Sequence, residues 1–193
     1  MKMAKKWFLL SAMVVTVVIA VEIFAGQAEE KPEITVRKLQ PQTVLYTIYR
    51  GSYDKIGEAI GNLFALAGQK GVYPRGSMCC VYLNNPQYVS SEHWLTEIRI
   101  PVGEEALKHA GTLGAMTDVK TIPAMDVAVA VKPKGMADAG PIYEAFRLWM
   151  HKEGYVGVEG PIEVFLSNSQ TGTYAQMESE IMWPVKKLSQ DKN

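Results

Sequence analysis

EIRIPV at residues 97–102 is the stretch that decides the organisation of this chain, because its pattern returns as EIMWPV at residues 180–185. Both copies follow the pattern E-I-x-x-P-V, and they lie 83 positions apart. Other residues match when the sequence is shifted over itself by this distance without gaps, among them Val44 with Val127, Gly57 with Gly140 and Asn85 with Asn168. Such ungapped self-similarity indicates one unit duplicated within the chain.

Each copy has the pattern of a strand, a helix and two further strands. In residues 34–102, β-branched and aromatic residues alternate in the segments expected to be strands, and apolar residues recur at helical spacing between Ile56 and Ala67. Residues 119–185 repeat this arrangement, with Pro141 at a position that suits a first helical turn. We therefore predict an α+β fold built from two strand-helix-strand-strand units with pseudo-twofold symmetry. The sheet is expected to be antiparallel, with its helices on one face.

Length and charge favour one compact domain over residues 29–193, because units of this size bury too little surface to be robust alone. The chain has 193 residues and a formal net charge of zero. The sequence contains no run of basic residues that would indicate binding to nucleic acid. The histidines show no metal-ligand spacing, so we predict neither a metal nor a cofactor. Cys79 and Cys80 are neighbours that cannot readily bridge each other, and we interpret them as buried small side chains.

Residues 1–28 have the layout of a secretory signal peptide. Three lysines precede an uncharged run at residues 7–21, and small residues flank a cleavage position after Ala28. The predicted location is therefore periplasmic or secreted. The alternative is an uncleaved membrane anchor that holds the domain facing outward, although Glu22 makes spanning costly. The membrane would be a partner only through this segment.

Strand alternation assigns residues to the two faces of the sheet. The apolar residues of the repeated motif, such as Ile98 and Ile181, are expected to face the helices. Glu97 and Glu180 then point to the opposite face. We assign Val81 and Leu83 to the helix side, which leaves four residues on the face with the glutamates: Cys80, Tyr82, Glu163 and Phe165.

A carboxylate beside aromatic rings, partly shielded from water, is suited to binding a lipophilic cation. The candidate ligand-binding residues are Glu180, Glu97, Tyr82, Phe165, Trp149 and Cys80. Trp149 also fits a helix core stripe, since its neighbours recur at helical spacing. A glutamate on the outer face of an antiparallel sheet is often only solvated, and that alternative stays open.

This layout resembles the GyrI-like small-molecule-binding family, which includes the effector-binding domains of multidrug-responsive bacterial transcription regulators. Two motifs carry the resemblance. The first is the pair of segments at residues 97–102 and 180–185, each of which begins with EI and ends with PV. The second is Tyr82 followed by Asn84-Asn85-Pro86. The resemblance implies a duplicated fold that binds bulky lipophilic compounds, cations among them, in a ligand cleft between the two units. It places the family's ligand-binding glutamate on Glu180, with Tyr82, Phe165 and Trp149 in the walls.

Two departures limit what the resemblance implies. A signal peptide stands where the regulators carry a DNA-binding module, and Phe165 replaces a tyrosine. We therefore expect an exported protein that captures a lipophilic small molecule. One alternative is a hydrolase of reactive electrophiles that uses Glu180, and otherwise no residue is predicted to be catalytic. A haem-binding protein of SOUL-like architecture is a further alternative, and so is a protein-binding protein of the cell envelope.

Overall fold

The computed structural model describes residues 32–166 and 177–189. The predicted signal peptide lies outside these residues. No helix within them has the length and apolarity needed to cross a membrane. The strands are β1 (Thr35–Leu39), β2 (Gln42–Arg50), β3 (Cys79–Tyr82), β4 (Leu95–Pro101), β5 (Thr117–Ile122), β6 (Met125–Lys132), β7 (Tyr155–Gly157), β8 (Ile162–Phe165) and β9 (Ser179–Lys187), and the α-helices are α1 (Ile56–Gln69) and α2 (Gly140–Glu153).

The strands form one antiparallel sheet in the order β1-β6-β9-β8-β3-β4-β2-β5, with β7 added to β9. Strand β5 lies at one edge, and β6 is second from the other edge. Only Pro123 and Ala124 connect them, so the sheet curls strongly to bring its two sides together. The predicted α+β class is confirmed. Strand β5 spans the start of the second predicted unit at residue 119 and adds a strand ahead of β6 that was not predicted.

Helix α1 begins after a 3-10 turn at Tyr53–Lys55, where the Ser52 hydroxyl accepts a hydrogen bond from the Asp54 amide. Its buried stripe is Ile56, Ile60, Leu63 and Ala67, at the predicted helical spacing. Phe64 was predicted in the same stripe but is 40% exposed. Helix α2 has Pro141 in its first turn, as predicted, and buries Ile142 and Phe146. It ends at Gly154, whose φ of 68° is the left-handed conformation that glycine adopts most easily.

The helices cover one face of the sheet with two separate apolar cores. Helix α1 packs with Leu45, Ile98 and Ile100. Helix α2 packs with Ile181 and Val185, among others. The prediction that the apolar residues of both motifs face the helices is therefore confirmed. A third core lies inside the curl on the opposite face, and its buried members are Cys79, Val81, Val127, Val129, Ile162 and Met182.

Candidate functional site

Glu163 lies at the centre of the helix-covered face, on the strand pair β3–β8 that joins the two sides of the sheet. It is directly opposite Cys80 in β3 and Ile181 in β9. Cys80 belongs to the α1 core and Ile181 to the α2 core, so Glu163 marks the boundary between them. The residue is only 6% exposed. A carboxylate this deeply buried needs hydrogen-bond or ionic partners.

Three side chains supply those partners. The Lys132 ammonium forms an ion pair with Oε1 of Glu163, and the Ser179 hydroxyl donates to the same oxygen at 2.7 Å. The Tyr82 hydroxyl donates to Oε2 at 2.5 Å. Both carboxylate oxygens are therefore engaged, and the charge of Glu163 is compensated by a buried lysine.

Three tyrosines surround this carboxylate. Burial, followed by repulsion from Cys80 and Glu163, raises the pKa of Tyr53 to about 12. Burial and then the charge of Glu163 also raise the pKa values of Tyr82 and Tyr143. All three phenols thus stay neutral at physiological pH. No described residue accepts or donates a side-chain hydrogen bond at the Tyr53 or Tyr143 hydroxyl, and both rings are only partly buried.

Aromatic rings extend from this point toward both helices. On the α1 side, the Tyr53 ring centroid lies 5.4 Å from that of Tyr82 and 4.4 Å from that of Trp94. On the α2 side, Tyr143 meets the edge of Trp183 at 6.1 Å. These separations are those of interacting aromatic pairs. The surface around Glu163 is therefore aromatic on both sides and carries phenol hydroxyls.

The predicted site residues do not share one face, and that part of the sequence interpretation is wrong. Cys80 pairs with Ile98, whereas Val81 pairs with Glu97. Directly opposed residues in antiparallel strands project to the same face, so the β3 assignment must be reversed. The group formed by Cys80, Tyr82, Glu163 and Phe165 does lie together, but on the helix side.

Glu97 and Glu180 point away from the helices, as predicted, and are therefore separated from Tyr82 and Phe165 by the sheet. Glu180 forms a two-pronged ion pair with Arg37, with contacts of 3.1 and 2.5 Å, and its side chain is 21% exposed. Glu97 is buried and contacts Arg99 and Lys120. Whether either glutamate binds a ligand stays a prediction.

Trp149 and Cys80 lie in or against the apolar cores, which is the alternative that their sequence context also indicated. Whether either residue binds a ligand stays a prediction. The Trp149 ring stacks on Tyr155 at 4.9 Å and packs against the α2 core. Cys80 is buried beside Glu163, and burial raises the pKa of its thiol. A thiol in that state is unreactive. Cys80 is therefore a packing residue next to the carboxylate.

Tyr82 was predicted as a site residue, whereas Glu163, Lys132, Tyr53 and Tyr143 were not. The sequence interpretation groups Glu163 correctly with Tyr82 and Phe165, yet it does not select Glu163 as the ligand-binding glutamate. The signal for Glu163 is a charged residue within the apolar strand Ile162–Phe165. The second signal is Lys132, which continues the alternation of Ala128 and Ala130 and therefore faces the helices.

Comparisons with known proteins show the fold. No protein-family model and no curated protein sequence matches this chain. The structure of EcmrR in its DNA complex matches with a TM-score of 0.69 and 13% identity, over 97% of this chain and 69% of that one. The EcmrR C-terminal domain matches with a TM-score of 0.66 and 13% identity, over 81% of this chain and 99% of the domain.

A hydrolase from Listeria innocua is also similar, with a TM-score of 0.60 and 14% identity, over 86% of this chain and 97% of that protein. At such low identities the similarity extends to the fold and not to the chemistry. It is consistent with the fold that the GyrI-like resemblance implied. Function must therefore be argued from the residues around Glu163.

Proposed function

We propose that this chain is a small-molecule-binding protein whose ligand lies between the two helices, above Glu163. The observation that carries the proposal is the buried carboxylate between the two cores, surrounded by the partly buried rings of Tyr53, Tyr82 and Tyr143. Apolar and aromatic walls with a few fixed polar groups are typical of ligand sites. The small-molecule function of the GyrI-like family agrees with this proposal.

The ligand that fits best is a lipophilic compound without net charge. A cation would need the charge of Glu163, but Lys132 already compensates that charge. Burying a second positive charge beside this ion pair would be unfavourable. An uncharged compound could instead stack on the aromatic rings and exchange hydrogen bonds with the hydroxyls of Tyr53 and Tyr143. The sequence indicated a lipophilic ligand, cationic or not, and we propose the uncharged class.

Tryptophan fluorescence offers a direct test, because Trp94 and Trp183 contact Tyr53 and Tyr143. The purified protein would be titrated with uncharged aromatic lipophiles, with matched lipophilic cations and with haem. Tyr143→Phe should weaken binding of the uncharged class by roughly tenfold if one hydrogen bond is lost. Glu180→Gln, on the opposite face, is the matched control and should leave binding unchanged. Failure of every compound to bind would refute the proposed function.

Hydrolysis is a second candidate, favoured by one contact. The Tyr82 hydroxyl lies 2.5 Å from Glu163, which places a proton donor beside a carboxylate that could act as a base. Against it, both oxygens of Glu163 are already engaged by Lys132, Ser179 and Tyr82. Product formation from a strained lipophilic electrophile, lost in Tyr82→Phe but retained in Glu180→Gln, would favour hydrolysis over binding alone.

We further propose that the protein is exported through residues 1–28 and binds its ligand outside the cytoplasm. The support is the lysine-rich start, the uncharged run and the small residues before Ala28. Cell fractionation and the mass of the mature protein test this. A soluble extracytoplasmic protein that begins at Glu29 is expected, whereas the full mass in the membrane fraction would indicate an anchor.

An internal duplication is also proposed. At an offset of 83 residues, EIRIPV in β4 corresponds to EIMWPV in β9. The strand order supports the proposal, because β3-β4-β2 on one side of the central pair corresponds to β8-β9-β6 on the other. Equivalent helices, α1 and α2, follow β2 and β6 in the chain.

A further inference from the structure

A cavity lies inside the curl of the sheet, on the face away from the helices. Its volume is about 450 Å³, within the range of about 300–1,000 Å³ that small-molecule pockets occupy. Val81 and Glu97 line it, whereas their neighbours Cys80 and Ile98 face the helices. The sheet therefore separates this cavity from the site above Glu163.

Two cations and one carboxylate lie together in the wall of the cavity. Glu97 accepts a hydrogen bond from Nε of Arg99 at 2.5 Å and contacts Nζ of Lys120 at 2.7 Å. One carboxylate is thus shared by two cations, which leaves an excess of one positive charge. Glu159 also borders the cavity, but it is an exposed residue.

Arg99 has donors left over for a ligand. Its side chain is only 8% exposed, and its contact with Glu97 uses Nε alone. Within residues 32–166 and 177–189, no residue accepts a hydrogen bond from its two terminal nitrogens. A guanidinium presents these nitrogens as a planar fork that matches the two oxygens of a carboxylate. These nitrogens are open to the cavity that Arg99 lines, so an anion that enters the cavity can reach them.

Four apolar side chains also line the cavity, alongside Thr121, Glu159 and Gly160. Val81 and Ile122 face the cavity from strands on either side of β4 and β2, and Pro123 continues the wall beyond β5. Leu83 also lines the cavity and remains 45% exposed. An exposed leucine beside a buried guanidinium is an arrangement that suits a molecule with an apolar body and an anionic end.

We propose that this cavity is a second binding site, specific for an organic acid with an aliphatic body. The carboxylate accepts hydrogen bonds from the terminal nitrogens of Arg99, and Lys120 contributes a second positive charge. The aliphatic chain packs against Val81, Leu83 and Ile122. Glu97 is a positioning residue, because its ion pairs hold both cations in place.

Calorimetric titration of the whole protein with decanoate and with decyltrimethylammonium tests the proposal. The two probes share an aliphatic chain and carry opposite charges. Decanoate is expected to bind at least about tenfold more tightly, an affinity ratio that falls as salt is added. Equal affinities, or tighter binding of the cation, would overturn the proposal.

Variants locate the binding to this cavity. Lys120→Met, at a side chain that is 35% exposed, should weaken decanoate binding by roughly tenfold. Arg99→Lys retains the charge and loses the fork, and it should weaken binding as well. Arg37→Met removes a positive charge elsewhere on the same face and is the matched control. If Arg99→Lys does not fold, Lys120→Met decides.

Tyr143→Phe separates the two sites. It alters the surroundings of Glu163 and should leave decanoate binding unchanged. A loss of decanoate binding in Tyr143→Phe, or unchanged binding in Lys120→Met, would place the acid elsewhere and refute the assignment.

Discussion

Lys132 and Glu163 form an ion pair across an intervening strand, in the layer between the sheet and the helices. Lys132 belongs to β6 and Glu163 to β8, and both pair with β9. The side chains are 3% and 8% exposed. Ser179 of β9 is paired with Lys132 in the sheet and donates to Glu163. Three neighbouring strands are therefore connected by one buried polar network.

The first prediction concerns stability. Lys132→Met should lower the free energy of unfolding by about 3–5 kcal/mol, because it leaves a buried carboxylate without its counter-charge. Lys132→Met combined with Glu163→Met should recover most of that loss, since both charges are then absent. Urea denaturation of the single and double variants measures the difference. Arg37→Met breaks the exposed pair with Glu180 and should cost less than about 1 kcal/mol.

The second prediction concerns ligand charge. If Lys132→Met is folded, Glu163 becomes an uncompensated carboxylate beside aromatic rings, which favours a lipophilic cation. The fluorescence titration should then show cations binding more tightly to the variant than to the natural protein, and uncharged compounds binding no better. Unchanged cation affinity in a folded Lys132→Met would contradict the neutralising role of the lysine.

Alkaline pH gives a third prediction. Tyr53, Tyr82 and Tyr143 all have pKa values raised above 10.0, that of Tyr53 to about 12. Their contribution to stability is present in full below pH 10, where the tyrosines of the unfolded chain are still protonated. It is lost as pH rises through 10 toward 12, because only the unfolded chain then releases these protons.

The loss should approach about 1.4 kcal/mol per pH unit for each buried phenol. Urea denaturation at several alkaline pH values measures this slope. Tyr143→Phe should make the slope shallower, whereas Tyr88→Phe, at a residue that is 82% exposed, should not. If the free energy of unfolding falls with pH equally steeply in Tyr143→Phe and in the natural protein, Tyr143 has the same pKa in the folded and the unfolded chain.

Much of the fold followed from periodicity, and the error came from a sheet that is buried on both faces. The sequence predicted the buried residues of α1. It also predicted that the apolar residues of both E-I-x-x-P-V motifs face the helices. Val81 was assigned to the helix side because it is apolar, yet the curl of the sheet buries it at 1% exposure on the other face. Hydrophobicity indicates burial and cannot distinguish two buried faces. Strand register decides between them, and a single sequence does not contain it.

The candidate site was predictable in its chemistry but not in its residues. A carboxylate among aromatic side chains was expected, and Tyr82 was identified. The repeated motif favoured Glu180 in β9 over Glu163 in β8. Tyr53 and Tyr143 reach the site from the two helix starts. Their approach depends on how the helices pack across the sheet, which spacing along the chain does not determine.

Strand exchange across the sheet leads to a fourth prediction. Strand β1, near the start of the domain, pairs with β6 of its C-terminal half, and β5 pairs with β2 of its N-terminal half. Two fragments divided in the segment between His109 and Thr117 should therefore each lack an edge strand. We expect neither fragment alone to show cooperative unfolding, and an equimolar mixture to regain it. Circular dichroism and urea titration measure this, and a cooperatively folded single fragment would contradict the expectation.

The fifth prediction compares two glycines. A Cβ added at Gly160 would lie 2.1 Å from the backbone oxygen of Tyr82. That oxygen cannot move freely, because the Tyr82 amide donates to the Pro161 carbonyl at 3.0 Å and Tyr82 is part of β3. Gly160→Ala should therefore push β8 away from β3 and lower the free energy of unfolding by about 1–3 kcal/mol.

Gly61 provides the opposite case within α1, since a Cβ there would have no atom within 4 Å. Gly61→Ala should raise the free energy of unfolding by about 0.5–1 kcal/mol, because alanine loses less backbone entropy than glycine when a helix forms. Because Gly160 precedes the strand that carries Glu163, Gly160→Ala should also weaken ligand binding above Glu163, and Gly61→Ala should not. Equal stability and equal ligand affinity in the two variants would show that the close approach of Gly160 to Tyr82 does not hold β8 in place.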